Sequence, residues 1–332
     1  MIPQCGIHPN VPFSHYQQWD AINWHTLWRL REESPAHAKY EMEHGTKETE
    51  ALAFGSLTDF VLLEPGRFEH EAVVEPEIGE GGAPKRPNKR QLEAKKPSPD
   101  SIAQINFWQA WDAENAGKII VKASDYARVL EIEASVRTAQ CREYILGGRS
   151  QVVIVWKDPA TGLLCKGRLD YERNAGFTHH ITDLKTARSA KADKFREQVY
   201  RLGYAGQMAF YHDGWFHLTG ERSECWWLVA EKDGLCVVKP WQAIGWDDRG
   251  QPIVEWIEGG RNLYRPALEQ WAKCLQENHW PGYGGPEILE MDWVKGKLGI
   301  GPDLIRPEPA YAGGGVPEGK EQDEFDTFIQ GE

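Results

Sequence analysis

The sequence predicts an α/β fold, with strands gathered into one sheet and helices packed on it. Three observations carry this. Val152–Trp156 and Leu163–Asp170 are apolar runs parted by Asp158-Pro-Ala-Thr-Gly162, which reads as a hairpin. His180–Lys185 is a further short strand, and Lys191–Trp215 follows with apolar residues at helical spacing. Cys225–Ala230 and Leu235–Val238 flank Asp233-Gly234, a second hairpin signal.

Taken in order, residues 14–44 read as helical, with Tyr16, Trp19, Trp24, Leu27, Trp28 and Leu30 on apolar faces. Ser34-Pro35 supplies an N-cap and a proline at the first helical position, so a new helix starts there. Thr49–Leu63 reads as the next helix and carries Asp59 among Leu52, Phe60 and Leu63. Residues 79–99 are rich in Gly, Pro, Lys and Arg and read as an exposed or mobile loop. Helical segments are expected at 100–116 and 123–146, parted by Ile119-Ile120-Val121, with Ser124 as the second N-cap and Gly147-Gly148 closing it. In the helix after His180–Lys185, Phe195, Val199, Leu202 and Ala209 should face the core. Tyr200, Tyr204, Gln207 and Tyr211 make a second, polar-aromatic stripe. Gly203 and Gly206 cost helix propensity, and close packing against the sheet is the expected reason. Tyr264–Glu277 reads as the last helix. The expected organisation is a helical region, 1–150, packed on a core, 151–290, and an acidic disordered tail, 306–332.

A chain of 332 residues, 41% hydrophobic and 27% charged, can bury a sizeable core. No apolar run reaches the length of a membrane span, and the N-terminus lacks a signal-peptide pattern. Both point to the cytoplasm, with no membrane partner. Cysteines 5, 141, 165, 225, 236 and 274 form no CxxC pair, so neither a zinc ribbon nor an iron–sulfur cluster is expected. The net charge of −12 argues against a uniformly DNA-binding surface. The charge is uneven, however. Lys185, Arg188, Lys191, Lys194, Arg196 and Arg201 crowd one stretch, and residues 85–96 are also basic, while the tail is acidic. Local positive patches bind phosphate even on an acidic protein, although a solvated face accounts for either patch taken alone.

Chemistry concentrates at Cys165–Tyr211. Asp170 ends one strand, and Asp183, Leu184 and Lys185 lie on the next. Alternation puts Asp183 and Lys185 on one face and Leu184 on the other, and paired strands would bring Asp170 to Asp183. Two close carboxylates repel unless a cation lies between them, and hard oxygen ligands suit Mg²⁺ or Mn²⁺. A lysine beside such a carboxylate can steady a nucleophilic water or developing phosphorane charge. A surface salt bridge is the bland alternative, but these strands should lie inside the domain. His179 and His180 read as strand residues without catalytic duty.

Asp170, Asp183-Leu184-Lys185 and Gln207-Met-Ala-Phe-Tyr211, in that order, resemble the D…(D/E)xK…QxxxY pattern of the PD-(D/E)xK nuclease superfamily. Within it the phage and prophage RecE-type and lambda-exonuclease-like enzymes look most similar. Ser34-Pro35-Ala36-His37, Phe54–Asp59 with Leu62–Pro65, and Thr161-Gly162 leading to Lys166–Asp170 resemble further segments of that branch. The resemblance spans roughly residues 25–285.

It implies a restriction-endonuclease-like core, a central mixed sheet flanked by helices. It also implies a Mg²⁺-dependent exonuclease, with Mn²⁺ as a substitute, that degrades one strand of linear duplex DNA from a 5′ end and leaves a 3′ single strand for recombination. Asp170, Asp183, the Leu184 carbonyl and Asp59 would hold the metal, and Lys185 would position or activate water. Gln207, Tyr204 and Tyr211 would orient the scissile region. Arg168 and Arg188 would meet DNA, and Arg31 with Ser34 would hold a terminal 5′-phosphate. The implied partners are duplex DNA ends, a single-strand annealing recombinase and other copies of the chain in a ring. Two positions depart from the family: Asp59 stands where a histidine ligand is usual, and Gln151 where a glutamate is usual. The second keeps open a non-catalytic DNA-end-binding scaffold; a nuclease of other polarity or an endonuclease is the nearer alternative. The tail motif Asp323-Glu-Phe-Asp-Thr-Phe328-Ile329 suits either a partner's groove or plain solubilisation.

Overall fold

The computed structural model describes residues 2–284, apart from 47, 48, 139, 177, 254 and 255. The expected tail, 306–332, and the end of the expected core, 285–290, lie outside the described residues.

A short strand, β1 (Gly6–His8), opens the chain, followed by α1 (Phe13–Gln18), α2 (Trp24–Glu32) and α3 (Pro35–His44). Asn23 caps α2 by accepting from Thr26 N–H, and Ser34 caps α3 with Pro35 behind it. Next come α4 (Glu50–Leu63), capped by Thr49, α5 (Pro65–Glu71) and β2 (Ala72–Val74). The stretch expected as a loop contains a 3-10 turn at 80–82 and a short helix, α6 (Lys89–Leu92). It is also anchored. Arg86 donates to Glu75 at 2.6 Å and to Asp112 at 2.9 Å, and lies 4.1 Å over the Trp108 ring. Then come α7 (Pro99–Glu114), β3 (Ile119–Val121) and α8 (Ala123–Val136). Lys122, not Ser124, is the N-cap of α8, and it makes no side-chain cap. The helix also stops ten residues early, before a 3-10 turn at 142–145.

The core follows: β4 (Arg149–Lys157), β5 (Leu164–Asn174), β6 (His179–Ala187), α9 (Ala192–Arg201), α10 (Tyr204–Thr219), β7 (Ser223–Glu231), β8 (Val238–Ile244) and α11 (Trp256–Glu277). Among the described residues one sheet has six strands in the order β1-β4-β5-β6-β7-β8. Only β6 and β7 run parallel in it, and the α9–α10 pair is the crossover that parallel neighbours require. A second, two-stranded sheet pairs β2 with β3 in parallel.

Each face of the sheet carries a hydrophobic cluster. Ile154, Leu169, Ile181, Trp227 and Val229 pack against Met208, Phe210 and Trp271 on one face, and against Trp24 and Leu27 of α2. Leu184, Leu228 and Ala230 pack on the other face against Val61 of α4 and Val129 and Ile132 of α8. Burying each such aliphatic side chain stabilises the fold by about 1.5–3 kcal/mol relative to leaving it in water.

The single helix expected over 191–215 is two. Gly203 adopts φ +66° between α9 and α10, a conformation that disfavours side chains and breaks the helical register. Leu202 and Tyr200 therefore leave their expected faces; Leu202 is partly exposed and Tyr200 is 84% exposed. The glycines do serve close packing, but against α2 and not the sheet. A Cβ on Gly203 would stand 2.4 Å from the Trp28 ring, and one on Gly206 would stand 2.1 Å from Trp24. The described cysteines are all free thiols, with only Cys5 exposed.

Candidate active site

The site lies where β5 and β6 part. Their antiparallel ladder runs from Asn174↔His179 to Tyr171↔Thr182 and stops there. Continued by one step it would pair Asp170 with Asp183. Instead, Asp170 Oδ2 accepts the Leu184 N–H at 2.8 Å, a side chain replacing a backbone acceptor. The opened edge of β5 is covered by the segment before α2: Ile22 N–H donates to Leu164 O and Lys166 N–H to Ile22 O.

Asp170 and Asp59 line one cleft with a volume of about 1460 Å³. Asp183, 1% exposed, and Lys185 stand behind it rather than in its wall. Lys185 Nζ is 2.5 Å from Asp183 Oδ2. This ion pair is the main charge compensation that the buried Asp183 carboxylate has. Lys185 also lies 4.6 Å over the Tyr204 ring, which holds it against the sheet. As expected from alternation, Leu184 faces the other way, into the α4–α8 cluster.

The electrostatics are those of an over-anionic pocket. Burial raises the Asp59 carboxyl well above the usual range, and Asp170 and Asp183 raise it further, against Lys185 and Arg168. Burial likewise pushes Asp170 up, with Asp183 adding to the effect. Asp183 is raised by burial despite Lys185. Burial alone would lower Lys185, but Asp183, Tyr204 and Asp170 outweigh it and raise its ammonium, so it stays charged. Arg168 adds little relief, because it is committed to Glu64 at 3.1 Å.

Three carboxylates from α4, β5 and β6 thus share essentially one lysine. Their hard oxygens and surplus negative charge fit a divalent cation of the Mg²⁺ or Mn²⁺ type. Among the described residues, no group of three or more His, Cys, Asp or Glu side chains is placed to hold a metal ion.

The remaining expected residues divide. Tyr211, Arg168 and Arg188 line the cleft. Gln207 Nε2 donates to the Tyr211 hydroxyl at 3.3 Å and so supports it from behind. Tyr211 crosses β5 at Gly167, where a Cβ would stand 2.8 Å from its ring. Arg31 and Ser34 are not in the cleft wall. Arg31 is exposed, and the Ser34 hydroxyl is taken up by the α3 cap and by His37 Nδ1 at 2.7 Å. His179 is buried, stacked on Trp215 and paired with Glu172 at 3.1 Å, away from the cleft.

Sequence reading named Gln151 as a departure from the family but not its geometry, and it gave no site role to Phe13, Tyr16 or Lys166. Gln151 lines the cleft with φ +53°, and the β4–β5 register skips it opposite Asp170. Phe13 and Tyr16 of α1 form another wall. Lys166, 3% exposed, holds α1 in place, donating to Tyr16 O at 2.8 Å and Trp19 O at 2.7 Å. Burial lowers its ammonium to about 8. Lys166, Arg168 and Asp170 alternate along β5, and that period was the available signal.

No curated protein matches this sequence. Among solved structures, one described as a "Putative exonuclease" from Eubacterium rectale is 15% identical, with a TM-score of 0.49, over 86% of this chain and 99% of its own. Protein VC1899 from Vibrio cholerae is 13% identical with a TM-score of 0.22, over 82% and 57%. Residues 13–290 match the family described as a PDDEXK-like domain of unknown function. With that match over most of its length, and with the split β5–β6 pair carrying the Asp170, Asp183 and Lys185 pattern, the chain belongs to this PDDEXK-like family of the PD-(D/E)xK nuclease superfamily.

Proposed function

We propose that this chain is a metal-dependent deoxyribonuclease that degrades linear duplex DNA from its ends. The observation that carries the reading is that Asp59 and Asp170 line one cleft with the buried Asp183–Lys185 pair behind them, so that three carboxylates share Lys185 as their main counter-charge. Asp170, Asp183, Asp59 and the Leu184 carbonyl would hold Mg²⁺, with Mn²⁺ able to substitute. Such a cation supplies charge stabilisation at a phosphoryl oxygen and a more acidic water. Lys185, kept cationic by its neighbours, places positive charge beside the scissile phosphate. Tyr211, which lines the cleft and accepts from Gln207, would orient the scissile region. Arg188 in the cleft wall would meet DNA phosphate, and Arg168 would do so by exchanging its ion pair with Glu64.

The 5′-to-3′ polarity, the 3′ single-stranded product and its use in recombination rest on the resemblance to RecE-type and lambda-exonuclease-like enzymes. So do a single-strand annealing recombinase as partner and a ring of identical copies. Digestion of end-labelled linear and closed circular duplex with Mg²⁺, Mn²⁺ or EDTA tests the reading. Loss of label from linear DNA only, and only with metal, is expected. Cutting of the circle makes the protein an endonuclease.

Gln151 favours a second reading, a DNA-end-binding scaffold without catalysis, because a neutral amide stands opposite Asp170. End binding without cleavage under all metal conditions would establish that reading.

A further inference from the structure

Beyond Arg188 the cleft continues along residues that the catalytic reading leaves unused, and this stretch forms an arm of it. Its floor is β3, where Ile119 is 51% exposed and Ile120 45% exposed inside a concave surface. Val121 does the core packing for this strand and is 5% exposed, so the two isoleucines have no core duty. Lys122, Arg188 and Lys232 line the same cleft. None of the three side chains has an ion pair or hydrogen bond among the described residues.

The arm is built on fixed backbone. Lys232 N–H donates to Ala187 O at 2.9 Å, which sets it beside Arg188. Arg128 of α8 donates to Lys232 O at 2.7 Å and to Gly234 O at 3.0 Å, pinning the turn after β7. Arg188 follows Lys185 by three residues, about 10 Å of extended chain. The arm therefore begins within roughly a nucleotide or two of the cleft's reacting centre.

Asp125 and Asp233 share this arm, so its net charge is only weakly positive. Cations alone would make it a poor site for a duplex, which presents mainly phosphates on its outside. An exposed aliphatic pair among unpartnered cations suits a strand whose bases are free to turn away from its phosphates.

We propose that this arm binds single-stranded DNA, with phosphates on Lys122, Arg188 and Lys232 and bases against Ile119 and Ile120. The choice of DNA as ligand rests on the nuclease reading. The consequence is that the enzyme holds an unpaired strand next to its reacting centre independently of its grip on duplex.

The test is fluorescence anisotropy of the full chain in EDTA, with a labelled oligothymidylate and a covalently closed dumbbell duplex. Lys122→Glu with Lys232→Glu should weaken oligothymidylate binding by about tenfold or more and flatten its log–log salt slope by about 1.4, for two phosphate contacts. Ile119→Ser with Ile120→Ser should weaken it several-fold while leaving that slope unchanged. The isoleucine variant should bind the dumbbell within about twofold of wild type, the lysine variant should lose much less on the dumbbell than on oligothymidylate, and circular dichroism melting reports whether each is folded. Wild-type oligothymidylate binding by either folded variant, a parallel loss on the dumbbell, or no oligothymidylate binding by wild type overturns the proposal. Cleavage in Mg²⁺ is scored separately. If DNA is cut but the variants bind normally, the strand path fails and the nuclease reading stands. If nothing is cut but the variants lose oligothymidylate, the nuclease reading fails and the path stands.

Discussion

Asp59 shows how the site is biased toward a cation at the level of one side chain. Its carboxyl is raised by burial and by Asp170 and Asp183, so the folded state prefers it protonated. A carboxyl raised on folding favours the folded state below its unfolded pKa, and that contribution is lost as pH rises through the folded pKa. At neutral pH, Asp59 therefore destabilises the metal-free protein. Asp59→Asn should raise its melting temperature in EDTA, by a stability gain on the order of 1 kcal/mol. The same variant should lose much of the rise in melting temperature that Mg²⁺ gives wild type. A fall in EDTA stability would return Asp59 to an ordinary packed residue. The order Asp170, Asp183, Lys185 was legible in the sequence because strand alternation and local spacing carry it. Gln151 in a left-handed conformation, and Lys166 beneath α1, were not legible. The first goes with the skipped residue in the β4–β5 register, and the second depends on the carbonyls of residues 16 and 19.

At the scale of elements, the crossover from β6 to β7 sets where Tyr204, Gln207 and Tyr211 stand. Its two glycines admit the Trp24 and Trp28 rings of α2. Propensity and packing make opposite forecasts here. Alanine is a better helix former than glycine by about 1 kcal/mol. A methyl group 2.1 Å from the Trp24 ring, however, forces repacking that costs about 1–3 kcal/mol or more. Gly206→Ala should therefore destabilise in urea melts, and a stabilised variant would show that α2 yields easily. The sequence announced that these glycines mattered but not what they met, since periodicity reports a helix's own faces and not its neighbour. It likewise ran α9 and α10 together, because the apolar period persists across Gly203 while the backbone does not.

For the whole molecule, two histidines away from the cleft make stability fall as the pH is lowered. His212 is buried against Ser223, and burial, reinforced by Arg261, lowers its imidazole from 6.5 to about 4. His180 is held down to about 4 in the same way, by burial and then Arg173. Between these values the unfolded chain takes a proton that the folded chain refuses. Stability from each is full above pH 6.5 and lost as pH falls toward 4. The upper limit is roughly 3 kcal/mol per histidine. Asp213 adds to this fall: although burial acts against it, Arg261 and Tyr264 hold its carboxylate low, so its contribution goes as pH falls further. In denaturant titrations, His212→Gln should remove part of the stability loss between pH 6.5 and 4, while Asp59 and Asp170, raised by burial, act in the opposite sense over that window. An unchanged slope would place the acid sensitivity elsewhere. The sheet and its flanking helices were legible at this scale because strand runs, caps and helical periods are local. The α2 contact with the crossover, β1 at the sheet edge and the pairing of β2 with β3 were not, because each is settled by contacts between distant segments. The most direct measurement on the molecule is release of end label from linear duplex in Mg²⁺ by wild type and by Asp183→Ala. Wild type should degrade the DNA with Mg²⁺ and not with EDTA, and Asp183→Ala should release nothing while still binding the duplex. Full Mg²⁺-dependent release by Asp183→Ala would contradict the assignment of the reacting centre.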